Sequence, residues 1–421
     1  MTVLAGRSSC RRGSWSGDPG SCRGPGDDKV QGERSRMHRY VGVGVIGLGW
    51  MGRVHAAAFR RVRDHFPALA VTPRLVIASD VSADRRAHAE HVGFERTAED
   101  WRAVLDDPDV DAVSITTPNA MHREIALAGI EAGKHIWVEK PVGRGLGDVM
   151  AVADAADEAG TINAVGFCYR FAPAVQHAHA LIEAGAIGEV NHYRGVFLAD
   201  YANRPDAAAS WRFDREAAGS GALGDLMAHV VDMTHFLVGP IERLSARTAT
   251  MIPARPRLPV GHGTHFSRVA SDDLVPVTNE DWAAALIELE SGTVGSLEAS
   301  RVIVGPHVRM RFEVHGTTGA LAWELERMNE LQRFELSENG RDEGYMTVHA
   351  GAQHPGFAAF QPGAGVPMGY DDLRVLEAAA FLEAIRDGEQ RGPGLEEMRA
   401  AARVLDAIER SSTSGGWEPA R

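Results

Sequence analysis

The sequence predicts an α/β domain with a doubly wound parallel sheet, followed by an α+β domain built on a large, mostly antiparallel sheet. Three observations predict it. Between residues 40 and 167 short β-branched runs alternate with helical segments, the pattern that builds a parallel sheet with helices on both faces. Beyond Tyr169 the strands lengthen and alternate apolar with polar residues, with turn signals such as Glu290-Ser291-Gly292 between them, as antiparallel pairing requires. The 421 residues also exceed the roughly 250–300 at which one hydrophobic core stops growing, so two cores are expected.

The elements follow in order. Residues 40–48 (YVGVGVIGL) read as a strand that ends in glycines, and the Ala-rich stretch 50–63 as a helix. A strand at 75–80, a helix at 83–91, a strand at 112–116, a helix at 120–132, a strand at 135–138, a helix at 146–159 and a strand at 161–167 continue the alternation. The second half predicts strands at 191–198, 281–289, 293–300 and 309–315. Pro and Gly cluster at 252–263 and 354–369 and mark long loops of the kind that serve as lids or arms. Helices at 374–387 and 394–411 carry an apolar stripe and are expected to pack back on the body. The domains are therefore placed at 37–165 and 166–415.

Residues 1–36 are different. Seven basic residues stand against four acids among Gly and Ser, too few apolar groups to bury a core, so a disordered extension is expected. Arg11-Arg12 lacks the apolar stretch that an export signal needs, and Met37, just ahead of the first strand, reads as the native start. The remaining composition, 44% hydrophobic and 24% charged, is that of a globular chain, and no run of about 18 apolar residues offers a membrane span. A net charge of −13 repels a phosphate backbone and excludes nucleic acid as a partner. Cys10, Cys22 and Cys168 are too scattered for a disulfide framework or a zinc site; no metal is expected, and a reducing cytoplasm is.

Gly47-Leu48-Gly49-Trp50-Met51-Gly52 fits G-x-G-x-x-G between a strand and a helix. The glycines permit a tight turn and close backbone approach to a pyrophosphate, which then sits on free N–H groups at a helix N-terminus. Asp80, at the end of the second strand, is placed to accept hydrogen bonds from a ribose diol and would repel a 2′-phosphate, which favours NAD over NADP. Arg85 and Arg86 leave NADP open.

Glu139-Lys140-Pro141 ends the strand 135–138 at the carboxyl edge of the sheet, where open α/β sheets bind ligands. A lysine there can reach the nicotinamide of a bound cofactor, hydrogen-bond a carbinol oxygen and polarise a carbonyl. Asp225 and His229 are four apart in a helical stretch, with Asp232 a turn further on, so they share a face. A carboxylate beside an imidazole tunes it for proton transfer, although the same row also reads as a core helix or as an incomplete metal site.

Together with Thr117-Pro118-Asn119 and His122, these segments resemble the glucose-fructose oxidoreductase, inositol dehydrogenase and rhizopine catabolism family (Gfo/Idh/MocA) over about residues 41–415. The resemblance implies a Rossmann domain ahead of an open-sheet substrate domain. It gives Lys140, Asp225 and His229 to catalysis and substrate binding, matching the family's G-G-G-x-L-x-D-x-G-x-H-x-x-D segment. Ser220 replaces its middle Gly, and Met227 stands where the family often has Gly. By the same resemblance Thr117, Pro118, Asn119, His122 and Glu139 line the nicotinamide and ribose, and Arg170 and Trp211 reach the cofactor or substrate. Segments including Glu298-Ala299-Ser300-Arg301 and Gly369-Tyr370-Asp371-Asp372 look like the branch of sugar and cyclitol dehydrogenases, whose members pair their sheets into homodimers or homotetramers.

The expected reaction is hydride transfer between NAD and a secondary alcohol of a small polyhydroxylated substrate, with His229 as base, Asp225 orienting it, and Lys140 sharing the proton work. Two alternatives stand beside it: a redox-neutral glycoside-cleaving enzyme of the same family that regenerates tightly held NAD, and a non-catalytic nucleotide sensor.

Overall fold

The computed structural model describes residues 39–257, 267–269, 271–341 and 343–421. The extension 1–36, the start at Met37, Cys10, Cys22 and part of the predicted loop 252–263 lie outside the described residues. The first half runs β1 (Arg39–Ile46), α1 (Trp50–His65), β2 (Val71–Ser79), α2 (Ala83–His91), β3 (Arg96–Ala98), α3 (Arg102–Leu105), β4 (Ala112–Ile115), α4 (Asn119–Glu131), β5 (His135–Val138), α5 (Leu146–Ala159) and β6 (Asn163–Val165). The strands pair in the order β3-β2-β1-β4-β5-β6, all parallel. Because helices cover both faces, the central strands are apolar on both sides: all of β4 and the last six residues of β1 are buried. The strand order reverses between β1 and β4, and that switch point opens the crevice in which such sheets take ligands.

The second half runs α6 (Pro173–Glu183), β7 (Val190–Ala199), α7 (Arg215–Ala218), α8 (Ala228–Val238), β8 (Ile241–Ala249), β9 (Ala254–Pro256), β10 (Leu274–Pro276), β11 (Trp282–Leu289), β12 (Val294–Ser300), β13 (Val308–Gly316), β14 (Gly319–Glu324), β15 (Glu330–Glu335), β16 (Met346–His349), α9 (Tyr370–Asp387), α10 (Leu395–Ser414) and β17 (Glu418–Pro419). Nine strands form one sheet in the order β16-β15-β14-β13-β7-β12-β11-β8-β17, antiparallel except where β12 meets β7. Burial alternates along β7, β11 and β13, so one face carries the core while residues such as Leu286 point outward. The predicted parallel and mostly antiparallel sheets are both present. The sequence reading lacks β3, α3, α6, α7, β8 to β10 and β14 to β17; most are short, with patterns too brief to register, but α6 and β8 span 11 and nine residues.

The last helices tie the halves together. Val375, Ala378, Phe381, Leu382 and Ile385 of α9 join the core formed by β1, α1 and β2, while α10 lies against α5 and β8. A second core runs from β4 and β5 through α8 to β7, β11 and β13. No helix among the described residues is long and apolar enough to cross a membrane.

Candidate active site

The loop after β1 is shaped by its glycines. Gly47 has φ +89, and a Cβ there would lie 3.0 Å from the Thr116–Thr117 peptide, so the loops after β1 and β4 meet at the switch point. A Cβ on Gly52 would overlap the carbonyl oxygen of Gly47, so α1 can start this close to the turn only with glycine. Nothing lies within 4 Å of a Cβ built on Gly49, the N-cap of α1, and no side chain caps that helix. Its first N–H groups and its positive dipole end are left for an anion. The Thr117 hydroxyl is buried and has no hydrogen-bond partner among the described residues. An open glycine face, uncapped N–H groups and an unpartnered hydroxyl fit the pyrophosphate and adjoining ribose of a dinucleotide. Trp50 stacks on Tyr370, ring centroids 6.0 Å apart, and Met51 touches the Tyr370 hydroxyl through sulfur.

Asp80 has a second task that the sequence does not show. Its carboxylate accepts from Leu48 N at 2.8 Å and Ser82 N at 2.9 Å, which pins the glycine loop to the end of β2 while leaving acceptor capacity on each oxygen for a ribose diol. Arg85 is drawn onto Asp80 at 3.3 Å, and Arg86 donates to the Asp80 and Val81 carbonyls. Both arginines are thus held locally, which weakens the case for a 2′-phosphate.

Four predicted cofactor residues hold the loops together. Asn119, buried, donates to Ala218 O, and Pro118 caps α4 at the surface. The ring nitrogens of His122 lie 2.8 Å from the carbonyl oxygens of Pro141 and Thr117, joining the loops after β4 and β5. Burial lowers the pKa of this ring against the pull of the two carbonyls. The Glu139 carboxylate turns inward to His55 Nε2 at 3.1 Å and Arg374 at 3.0 Å. Burial acts to raise its pKa, but Arg374, His55 and Lys140 outweigh that and hold it well below the usual carboxylate range.

Lys140 does reach across to the second half. Its Nζ donates to Asp225 O at 2.6 Å and Asp225 Oδ1 at 3.1 Å, and Tyr201 Oη donates to Asp225 Oδ2 at 2.7 Å. Asp225 does not stand on a regular α-turn. Residues Leu223–Met227 form a π-turn that runs into α8, and such insertions recur at functional sites. Glu280 organises it: its Oε1 accepts from Gly221 N at 2.6 Å and Leu223 N at 2.9 Å, and its carbonyl accepts from Ala222 N. Arg301, bonded to Asp281 and Asn279, secures that loop from below.

His229 sits in the first turn of α8, almost fully buried, with the rings of Tyr169, Phe167 and Phe197 at 4.7, 5.8 and 6.0 Å. Burial first, then the charges of Lys140 and Arg374, depress its pKa well below that of a free imidazole, so near pH 7 the ring is neutral and able to accept a proton. Lys140 and Asp225 therefore meet, and the charges of both act on His229, but the expected partnership changes: the carboxylate of Asp225 serves Lys140 and Tyr201. Asp232 and Arg170 depart further from expectation. Arg170 pairs with both Asp232 oxygens at 2.8 and 2.6 Å and lies over the Phe236 ring, so its guanidinium is committed inside the fold. Trp211 stands on a single 3₁₀ turn with Arg212 stacked on its ring at 4.4 Å.

The sequence reading missed Tyr201, Tyr169, His55, Arg374 and Glu280. Tyr201 and Glu280 are brought in by tertiary folding from positions with no motif around them, whereas His55 closely follows the glycine segment, Arg374 follows Gly369-Tyr370-Asp371-Asp372, and Tyr169 stands at the change of pattern after β6.

Two family models match the chain. One, for the oxidoreductase family with an NAD-binding Rossmann fold, covers residues 41–167, and one for the GFO/IDH/MocA C-terminal domain covers 175–322. Levoglucosan dehydrogenase of Pseudarthrobacter phenanthrenivorans is 38% identical over 380 residues, 90% of this chain and 97% of that protein. The scyllo-inositol 2-dehydrogenase (NAD(+)) of Bacillus subtilis is 32% identical, covering 68% of this chain and 74% of that one. Among solved structures, levoglucosan dehydrogenase in complex with NADH and levoglucosan superposes with a TM-score of 0.85 at 36% identity, over 90% of this chain and 99% of the other.

Proposed function

The chain belongs to the GFO/IDH/MocA oxidoreductase family, and from that premise we propose that it is an NAD-dependent dehydrogenase oxidising a secondary alcohol of a sugar, an anhydrosugar of the levoglucosan type, or a cyclitol. The observation that carries the reading is the Lys140–Asp225–Tyr201 hydrogen-bonded chain beside the buried neutral His229. Bound NAD, held by the Gly47–Gly52 loop, Asp80 and Thr117, supplies the hydride acceptor for the carbinol carbon.

The residues of the chain do the rest. His229 takes the hydroxyl proton as the carbon is oxidised, and Lys140 donates a hydrogen bond to the same oxygen, stabilising negative charge as it develops. Asp225 and Tyr201 fix the ammonium in place, which removes the cost of ordering a flexible lysine at the moment of reaction. The Phe167, Tyr169 and Phe197 rings keep water from His229 and preserve its neutral form.

Incubation with NAD and a panel of anhydrosugars, inositols, free sugars and glycosides, followed at 340 nm, tests the proposal. Sustained NADH formation with one polyol class is expected. Silence across the panel, with stoichiometric nucleotide released on denaturation, would replace it with the redox-neutral alternative. The pH dependence is a second check. The pKa of His229 is depressed, so the base stays unprotonated through neutrality, and the acid limb of kcat/KM is expected below the pH of about 6.5 at which a free imidazole titrates. Asp80→Ser is expected to cost roughly tenfold to a hundredfold in kcat/KM for NAD and to narrow the preference over NADP, because a ribose acceptor and the Leu48 N–H partner go together.

Two finer features belong to the same proposal. The outward face of the nine-stranded sheet, with Leu286 exposed on it, supports pairing of copies into a dimer or tetramer. The free, buried thiol of Cys168 supports a reducing cytoplasm.

A further inference from the structure

One buried cluster around Arg374 has no part in the proton and hydride steps above. Arg374 of α9 is 235 residues further along the chain than Glu139, which follows β5, yet its NH1 donates to Glu139 Oε1 at 3.0 Å and to Glu377 Oε2 at 2.8 Å. Its Nε and NH2 donate to Tyr370 Oη at 3.2 and 2.8 Å. Behind Glu139 the network continues through His55 to Ser114 at 2.8 Å. Tyr370 in turn stacks on Trp50 of the glycine loop. One side chain thus touches, directly or through one partner, the nucleotide loop and the residue preceding Lys140.

We propose that Arg374 is a positioning residue for the reaction: it clamps the Glu139–Lys140 step against the first sheet and places a permanent positive charge behind His229. The proposal rests on the reading of His229 as the base. Arg374 is buried and cannot lose its proton, so its charge is fixed. The Tyr169 ring lies 4.7 Å from His229 and 6.3 Å from Tyr370, the hydrogen-bond partner of Arg374; the charges of Lys140, Arg374, Glu139 and Asp225 all act on His229, the two cations lowering its pKa. Arg374 itself is faced by Glu139, Glu377, Tyr370 and Cys168. Of these, Glu377 is pushed up to about 8 by burial, against the pull of Arg374 at 2.8 Å. Cys168, raised to about 12 by burial, stays neutral. This arrangement lets a helix of the second half set the protonation of a base on α8 without touching substrate.

Arg374→Gln and Arg374→Lys test it, with His229 followed by NMR titration of its ring, assigned through His229→Asn, alongside the pH profile of kcat/KM. In the Gln variant the guanidinium charge that opposes protonation of His229 is gone, while Glu139 keeps its hydrogen bond to His55 and the nearby charge of Lys140. The His229 titration and the acid limb are expected to move upward together by about one pH unit, while Arg374→Lys, which keeps the charge and loses the fork, leaves both near wild type at reduced kcat. A Gln variant that loses activity equally at every pH, with the His229 titration unmoved, would overturn the proposal and leave Arg374 a packing residue. If the Gln variant does not fold, Arg374→Lys decides: a titration displaced as far as one pH unit despite the retained charge overturns it as well. The NMR readout needs no substrate, so a wrong substrate assignment would leave the titration shift intact, whereas a wrong Arg374 assignment would abolish it.

Discussion

Replacing Lys140 by methionine is expected to leave NAD binding close to wild type and to lower kcat by a factor on the order of 10²–10⁴, the usual contribution of a positioned proton-transfer or oxyanion-stabilising group. Methionine matches the length of the lysine stem but removes the ammonium that donates to Asp225 O and Oδ1 and that stands ready for the substrate oxygen. The Gly47–Gly52 loop and Asp80, proposed to hold the pyrophosphate and ribose, are left intact, so a fluorescence titration with NAD should change little. The loss should fall on kcat and kcat/KM together, because the interaction grows as charge develops on the oxygen. Unchanged turnover would show that the lysine holds Asp225 and does nothing to the substrate.

The second large effect is expected at Gly52. A Cβ there would overlap the Gly47 carbonyl oxygen and lie 2.9 Å from the Thr116 hydroxyl, so in Gly52→Ala the first turn of α1 must lift away from the loop. Overpacking of this kind costs roughly 1–3 kcal/mol and here also splays the N–H groups that receive the pyrophosphate. A fall of several degrees in the unfolding midpoint is expected, with at least a hundredfold loss in NAD affinity. Gly49→Ala is the control that separates packing from binding. Nothing surrounds its Cβ, and its φ of −63 suits alanine, so the midpoint should hold while NAD affinity falls. Equal midpoints for the two variants would contradict the packing argument.

The contrast between these glycines explains which parts of the site could be read from the sequence. A nucleotide loop needs a particular backbone path, and only glycine at Gly47 and Gly52 allows it, so the requirement is written locally in the chain. Lys140 was legible for a similar reason, since the end of a buried apolar strand is where such sheets work. Asp225 and His229 were found by spacing, but the spacing implied an α-turn. The π-turn is imposed from outside by Glu280, whose carboxylate takes two N–H groups of that segment, and nothing in the apolar periodicity records it. The partner that holds Arg170, Asp232, is 62 residues away, and no local pattern reports that pairing. Tyr201 and Arg374 reach the site only because β7 and α9 fold back toward the switch point, and no pattern in a single sequence reports a contact of that range. Fold class came from alternation repeated over many residues, which survives the loss of any one element such as β3.

The central claim is that Lys140, steadied by Asp225 and Tyr201, and His229, among the rings of Phe167, Tyr169 and Phe197, receive the hydroxyl of the carbon being oxidised. The most direct measurement is a crystal structure of the protein with NADH and the polyol that the 340 nm panel identifies. The account predicts one hydroxyl oxygen within about 3.2 Å of both Lys140 Nζ and a ring nitrogen of His229. A polyol bound with its hydroxyls turned away from both groups, or one held by Trp211 and Arg212 with Lys140 still closed on Asp225, would contradict it.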